Sequence, residues 1–343
     1  MLKFELQKAA DKLVREIFEV KAGETVVITA DTMSDESLVN AVAAGVHSLG
    51  AFPMTIQIAT PGSVGKAADP EIPVDALTGA LLGADVWIEF NHQWLLYSTP
   101  FERAMEKNQK LRYMCLVDFS PELLIRTVGE VDTKPLQVFM EAFGQRHREA
   151  KEMRVTTPAG TDVSFELDPS HLVCVDCGKA GVPGMHMLTG QLNVVPKFGS
   201  INGKIVFDGT ITPPFGHVPS QPVILTVENG KIVGFDGGRE AAEYEKYLKD
   251  FNDEGMLKMA HIAYGFNPGA RLTGNVVEDE RVWGCTEWGI GYVSPIDAPP
   301  CGQDAVSHTD GICLNSSVWL DGVQLMDEGK IVDQELYELS PVK

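Results

Sequence analysis

No uninterrupted apolar run approaches the ~18 residues needed to span a bilayer, and the opening Met1-Leu2-Lys3-Phe4-Glu5-Leu6-Gln7-Lys8 lacks the apolar core of a signal peptide. A cytoplasmic location is the expectation. Positive charge is also scarce: 28 Lys and Arg stand against 48 Asp and Glu, a formal net charge of -20. Such a field repels phosphate backbones and anionic lipids, so neither nucleic acid nor a membrane is an expected partner. No disulfide framework is expected among Cys115, Cys174, Cys177, Cys285, Cys301 and Cys313 in a chain of cytosolic character. Cys174 and Cys177 have redox or zinc-knuckle spacing but no second such pair or His pair nearby, and the alternation around them suggests a strand with structural thiols. The phosphate fingerprints Gly-x-Gly-x-x-Gly and Gly-x-x-x-x-Gly-Lys-Ser/Thr are missing from the first half, and the turn Asp31-Thr32-Met33-Ser34 contains no glycine.

What is present is enough for two domains: 343 residues, 44% of them hydrophobic. Apolar residues at helical spacing predict a helix over residues 2–20, and the apolar run 25–30 predicts a strand covered on both faces. Ser34 is placed to cap the next helix, which ends at Gly50. The alternation continues with a strand at 52–59, a helix at 74–82, a strand at 85–90, a helix at 99–107, a strand at 113–117 and a closing helix at 134–151. A Rossmann-like parallel α/β domain over residues 1–150, without a dinucleotide, follows from that order. Its loop Phe90-Asn91-His92-Gln93-Trp94-Leu95-Leu96-Tyr97-Ser98 follows a buried strand, where such sheets bind ligands, and Tyr97 can reach a ligand or pack.

After residue 150 the period changes to short strands, at 154–157, 162–167 and 172–177, divided by Pro158-Ala159-Gly160 and Asp168-Pro169-Ser170. A mixed α+β domain over 151–343 is expected. Asn229-Gly230 between two apolar runs signals a two-residue hairpin, and Gly237-Gly238 a turn, rather than a phosphate site, ahead of a helix at 239–251. The stretch 278–291 suggests a helix with small residues at a close contact, its acids a solvated helix start more readily than ligands. His261 lies in an apolar strand, where a core histidine is an equally good explanation. In Ser307-His308-Thr309-Asp310, strand alternation puts His308 and Asp310 on one face. Two histidines and a carboxylate can hold one metal and leave positions open, but an isolated His-x-Asp is more often a surface pair.

The order Phe251-Asn252-Asp253, Ala260-His261-Ile262-Ala263-Tyr264-Gly265-Phe266-Asn267-Pro268-Gly269-Ala270-Arg271 and Ser307-His308-Thr309-Asp310 resembles the 2,5-dihydroxypyridine 5,6-dioxygenases, themselves similar in fold to the M29 aminopeptidases. Looser similarity, in the same order, covers Leu95-Leu96-Tyr97-Ser98, Pro183-Gly184-Met185-His186 and Asn229-Gly230-Lys231-Ile232. The resemblance implies a mononuclear Fe(II) centre held by His261, His308 and Asp310, and extradiol-like cleavage of a hydroxylated ring such as an N-heteroaromatic. It places His186 near the substrate as acid or base, and Ser294 as a positioning group. Where the pyridine-cleaving enzymes have a histidine, this chain has Tyr97, which leaves the ring unidentified. Arg271 would neutralise a substrate carboxylate, hold an acid or form a structural salt bridge. The partners implied are a small aromatic substrate and O2, with a homo-oligomer, a dimer or larger, as the assembly. A two-metal peptidase of M29 type is the alternative. It finds no carboxylate in Gly190-Gln191-Leu192-Asn193-Val194-Val195-Pro196 and would have to recruit Glu166, Glu278, Glu280 or Glu287.

Overall fold

The first apolar run of the sequence, Thr25–Asp31, pairs in parallel with Phe52–Ile58 on one side and Val86–Glu89 on the other. Arg112–Cys115 follows Val86–Glu89, also in parallel. Nearly every residue of the strands at 25–31, 86–89 and 112–115 is buried, as their unbroken apolar character requires of a sheet covered on both faces. The computed structural model describes residues 3–343, so Leu2 of the expected first helix lies outside the described residues. That helix runs Lys3–Lys12 and ends in a wider turn at Leu13–Ile17. The helices Glu36–Ser48, Val74–Leu82 and Thr99–Lys107 stand where the periodicity places them. One cap differs: Asp35, not Ser34, accepts the backbone N–H groups of Ser37 and Leu38 at 2.8 and 3.1 Å. The Ser34 hydroxyl instead accepts from Asp31 N–H and donates to the Phe90 carbonyl, tying two strand ends together.

Two units divide the chain, but not at residue 150. One holds the residues up to Val131 together with Gly178–Thr189, the other Asp132–Cys177 and Gly190–Lys343. The helix Thr133–Glu149, expected to close the first domain, belongs to the second, because its aromatic face packs there. Phe143 lies 5.1 Å from Tyr264 and 4.8 Å from Phe266, ring to ring. The segment Gly178–Thr189 returns to the first unit, where Gly184–His186 becomes the fifth strand of its parallel sheet, beside Arg112–Cys115. Three residues are too few to show a period, which is why this strand escapes a sequence reading.

The second unit holds two antiparallel sheets. In spatial order the eight-stranded one is Lys231–Asp236, Val223–Glu228, Asn202–Phe207, Asp162–Glu166, Glu152–Thr156, Ser317–Leu320, Val323–Asp327 and Lys330–Ile331. The six-stranded one is Ile211–Thr212, Gln303–Cys313, Thr286–Val293, Met259–Gly265, Gln191–Val194 and Val173–Asp176. Their inner faces meet through Phe165 and Trp288, 5.7 Å apart edge to face, and through Phe207, whose ring fills the space a side chain at Gly311 would take. The Asn229-Gly230 hairpin is present with both residues at positive φ, 49° and 74°, the turn that matches strand twist. Gly237 serves the packing of its turn, since a Cβ there would meet the Pro222 carbonyl at 2.0 Å. All six cysteines are free thiols.

The stretch 278–291 departs from expectation. Only Val276–Asp279 is a helical turn, and Thr286–Val293 is a strand. Its true period is two: Trp288 and Ile290 enter the sandwich, while Glu287, Gly289 and Gly291 share the opposite face. Nor is its acidic start solvated. Glu278 and Asp279 are buried, accepting backbone N–H bonds from Arg271, Thr273 and Gly274 and so pinning that loop.

Candidate metal centre

Three neighbouring strands of the six-stranded sheet build the site. Pairing sets Gly289 opposite Asp310 and Gly291 opposite His308, and Glu287 between Ala263 and Ile312. Alternation then puts His308, Asp310 and Glu287 on the face turned away from the sandwich, with His261 one strand over. The His261 and His308 rings lie nearly parallel, 5.0 Å apart. His308 Nε2 is 2.8 Å from Asp310 Oδ1 and His261 Nε2 3.8 Å from that same oxygen. One ligand atom from each of the three residues lies within 4.8 Å of the other two.

Gly289 makes this possible. A Cβ there would stand 2.5 Å from His261 Cε1 and 2.6 Å from Nδ1, so the imidazole occupies the space a side chain would fill. The ring of His308 is oriented from behind: Nδ1–H donates to the Tyr292 carbonyl at 2.9 Å, which turns Nε2 toward Asp310. Two orphaned polar atoms flank the same face, Thr212 Oγ1 in the row of Asp310 and Asn193 Oδ1 in the row of Ala263 and Glu287. A His, His, Asp donor set fits a divalent transition metal, and these residues can hold one.

Carboxylates crowd the site. Burial pushes the Asp310 carboxyl up, but the charge and hydrogen bond of His308, helped by His261, carry it below the ordinary value. His308, which burial would lower, is raised by Asp310. Glu287, fully buried, is driven well up by desolvation and by the negative neighbours Asp310 and Glu280. Glu280 is raised by burial against the pull of Arg281, which it meets at 2.8 Å. Arg281 also donates to Gln191 Oε1 at 2.8 Å, and Gln191 Nε2 donates back to Glu280 at 3.1 Å, closing a triangle. The buried Glu287 and the half-buried Asp310 and Glu280 set three carboxyl groups around two imidazoles, a charge balance that favours a cation.

Ser294 follows the Glu287 strand, and its hydroxyl accepts the Ile296 N–H at 3.1 Å. Arg271 is exposed and, among the described residues, has no ion-pair partner, so the structural salt bridge does not form. Tyr97 and His186 belong to the first unit. Tyr97 is 56% exposed at φ 64°, a conformation bulky residues rarely adopt. His186 Nε2 lies 2.8 Å from the Val182 carbonyl. Of the four acids a second metal would recruit, Glu166 pairs with Lys197 and Glu278 holds its loop, while Glu280 and Glu287 reach the site.

A family model described as 2,5-dihydroxypyridine 5,6-dioxygenase matches residues 9–333. A curated 2,5-dihydroxypyridine 5,6-dioxygenase from Pseudomonas putida KT2440 is 26% identical over 340 residues, covering 94% of this chain and 95% of that one. Among solved structures, 2,5-dihydroxypyridine dioxygenase from Pseudomonas putida KT2440 superposes with a TM-score of 0.81 at 21% identity, covering 98% of this chain and 99% of that one. Wild-type AmpT from Thermus thermophilus gives 0.69 at 16% identity, over 97% and 100%. The fold is thus the one shared with M29 aminopeptidase-like structures.

Proposed function

The chain belongs to the 2,5-dihydroxypyridine 5,6-dioxygenase family and is a ring-cleaving dioxygenase, and from that premise we propose a hydroxylated N-heteroaromatic such as a dihydroxypyridine as substrate and Fe(II) as cofactor. The observation that carries this reading is the convergence of His261, His308 and Asp310 on one sheet face. Two imidazoles and one carboxylate are the donor set of non-haem iron oxygenases. When bound, Fe(II) supplies a path for electrons from an electron-rich ring to dioxygen. The reaction opens one ring C–C bond and keeps both atoms of O2 in the product.

The protein's own work is positioning and proton handling. The Tyr292 carbonyl holds His308 in the orientation that presents Nε2. The Glu280–Arg281–Gln191 triangle fixes charge beside the site. In the proposed scheme His186 takes or returns the proton of a substrate hydroxyl, Ser294 and Tyr97 orient substrate by hydrogen bonds, and the unpaired Arg271 guanidinium neutralises a substrate carboxylate. Family membership supports the roles of His186 and Ser294. A homo-oligomeric, cytoplasmic enzyme completes the reading. Among the described residues no helix is long and apolar enough to cross a membrane.

Anaerobic purification with metal analysis, followed by oxygen-electrode assays on a panel of dihydroxylated pyridines and benzenes, tests it. Expected are about one iron per chain and oxygen uptake with at least one ring. Background uptake by iron-loaded protein across the panel, or amide hydrolysis without oxygen, contradicts it.

A further inference from the structure

The geometry points to Glu287 as a fourth protein ligand of the metal, an inference that rests on the reading of His261, His308 and Asp310 as the first three. The Glu287 oxygens lie 3.0 and 3.2 Å from His261 Nε2, the same nitrogen that stands 3.8 Å from Asp310. A carboxylate that only orients a ligating histidine binds the other ring nitrogen and leaves the ligating one free. Glu287 is on the wrong atom for that part.

The separations agree with a shared coordination sphere. With metal–ligand bonds of ~2.1 Å, neighbouring ligands at right angles lie roughly 3.0 Å apart, and tetrahedral neighbours roughly 3.4 Å. His261 to Glu287 at 3.0 Å and His308 to Asp310 at 2.8 Å both have the length of such an edge. The backbone buries Glu287 fully on the central strand of the three, in a row between the apolar Ala263 and Ile312, so that the polar groups its carboxyl meets are the proposed ligands His261 and Asp310. Among the described residues no Lys or Arg pairs with it, the nearby Arg281 being committed to Glu280 and Gln191. A buried carboxylate so placed calls for a cation.

Two imidazoles and two carboxylates would balance the charge of a divalent ion and would leave fewer positions for substrate and O2 than a three-residue site, which would favour a ring that attaches through a single oxygen.

Anaerobic titration of the full chain with Co(II), a spectroscopic substitute for iron, compares the wild type with Glu287→Gln and His308→Ala. Glu287→Gln, which preserves volume, is expected to bind on the order of tenfold more weakly or worse, with a changed Co(II) absorption spectrum and an unchanged circular dichroism. Equal affinity with a superimposable spectrum overturns Glu287 as a ligand and leaves the three-residue site standing. No binding by the wild type, or wild-type binding by His308→Ala, overturns the metal reading and Glu287 with it. Should Glu287→Gln fail to fold, a crystal structure of the Co(II)-loaded wild type decides: a Glu287 oxygen within ~2.4 Å of the ion supports the inference, and one beyond ~3 Å overturns it.

Discussion

Alanine at position 289 would place a methyl group 2.5 Å from the His261 ring, too close for the imidazole to stay where it is. The ring must swing out of line with His308 and Asp310. Metal affinity is expected to fall on the order of 10- to 100-fold, which titration of the loaded and metal-free protein measures. His308→Ala removes a donor outright, so both bound iron and oxygen uptake should be lost; retention of either speaks against the site. At this scale the sequence is informative in parts. Alternation alone puts His308 and Asp310 together, because two residues apart in a strand share a face. Alternation says nothing of His261, whose arrival depends on pairing two strands away in sequence, and only the family resemblance brings it in. Gly289 was hidden for the same reason: its neighbour in space is not its neighbour in sequence.

Strands and helices were legible where a period ran long enough to declare itself. The alternating elements of the first unit and the Asn229-Gly230 hairpin stand as their patterns indicate. Residues 278–291 do not, since the small residues at 284, 289 and 291 imitate a close helix contact while serving a sheet. The two faces of that sheet predict different outcomes for the same change. Gly311→Ala drives a Cβ to 2.3 Å from the Phe207 ring in the closed interior of the sandwich. It should cost about 1–3 kcal/mol of stability, read by urea unfolding, with metal affinity in the folded protein close to wild type. Gly289→Ala should show the reverse balance. If both substitutions weaken metal binding equally, the division of labour between the two faces is wrong. The domain boundary was misplaced for a related reason: the helix Thr133–Glu149 continues the α/β rhythm in sequence, yet its aromatic face belongs to Tyr264 and Phe266.

Across the whole molecule the two units carry buried groups of opposite pH sense. His147 is held down to about 4 by burial; its Nδ1–H donates to the Phe143 carbonyl and its Nε2 accepts from the Tyr264 hydroxyl, so it is neutral. Its folded value lies below its unfolded one, so its contribution is present above pH ~6.5 and is lost as pH falls toward 4. That is about 3 kcal/mol in the second unit. Glu89 is pushed up to about 7 by burial, against the bonds from Tyr113 and the Leu95 N–H. Raised above its unfolded value, it contributes stability below pH ~4.5 that fades as pH rises through 7. Hydrogen exchange resolved by segment should therefore show residues 133–149 losing protection on acidification while residues 86–89 and 112–115 gain it. Parallel responses in both units would count against these assignments. Bound metal should add to the second unit alone: at about 100 times its Kd, roughly 2.7 kcal/mol. The acidic balance of the chain, -20 overall, argues against a phosphate backbone as partner, but it could not name a ring. That information lies in the shape and hydrogen-bonding groups of a site assembled from distant segments.

The central claim is that this chain opens a hydroxylated ring with dioxygen, and isotope labelling tests it most directly. Iron-loaded protein is supplied with 2,5-dihydroxypyridine under 18O2 and quenched rapidly, before product carbonyls exchange with water. The expected result is a ring-opened product heavier by both atoms of the gas. A ring-opened product without label from the gas, or unchanged ring with no oxygen consumed, would contradict it.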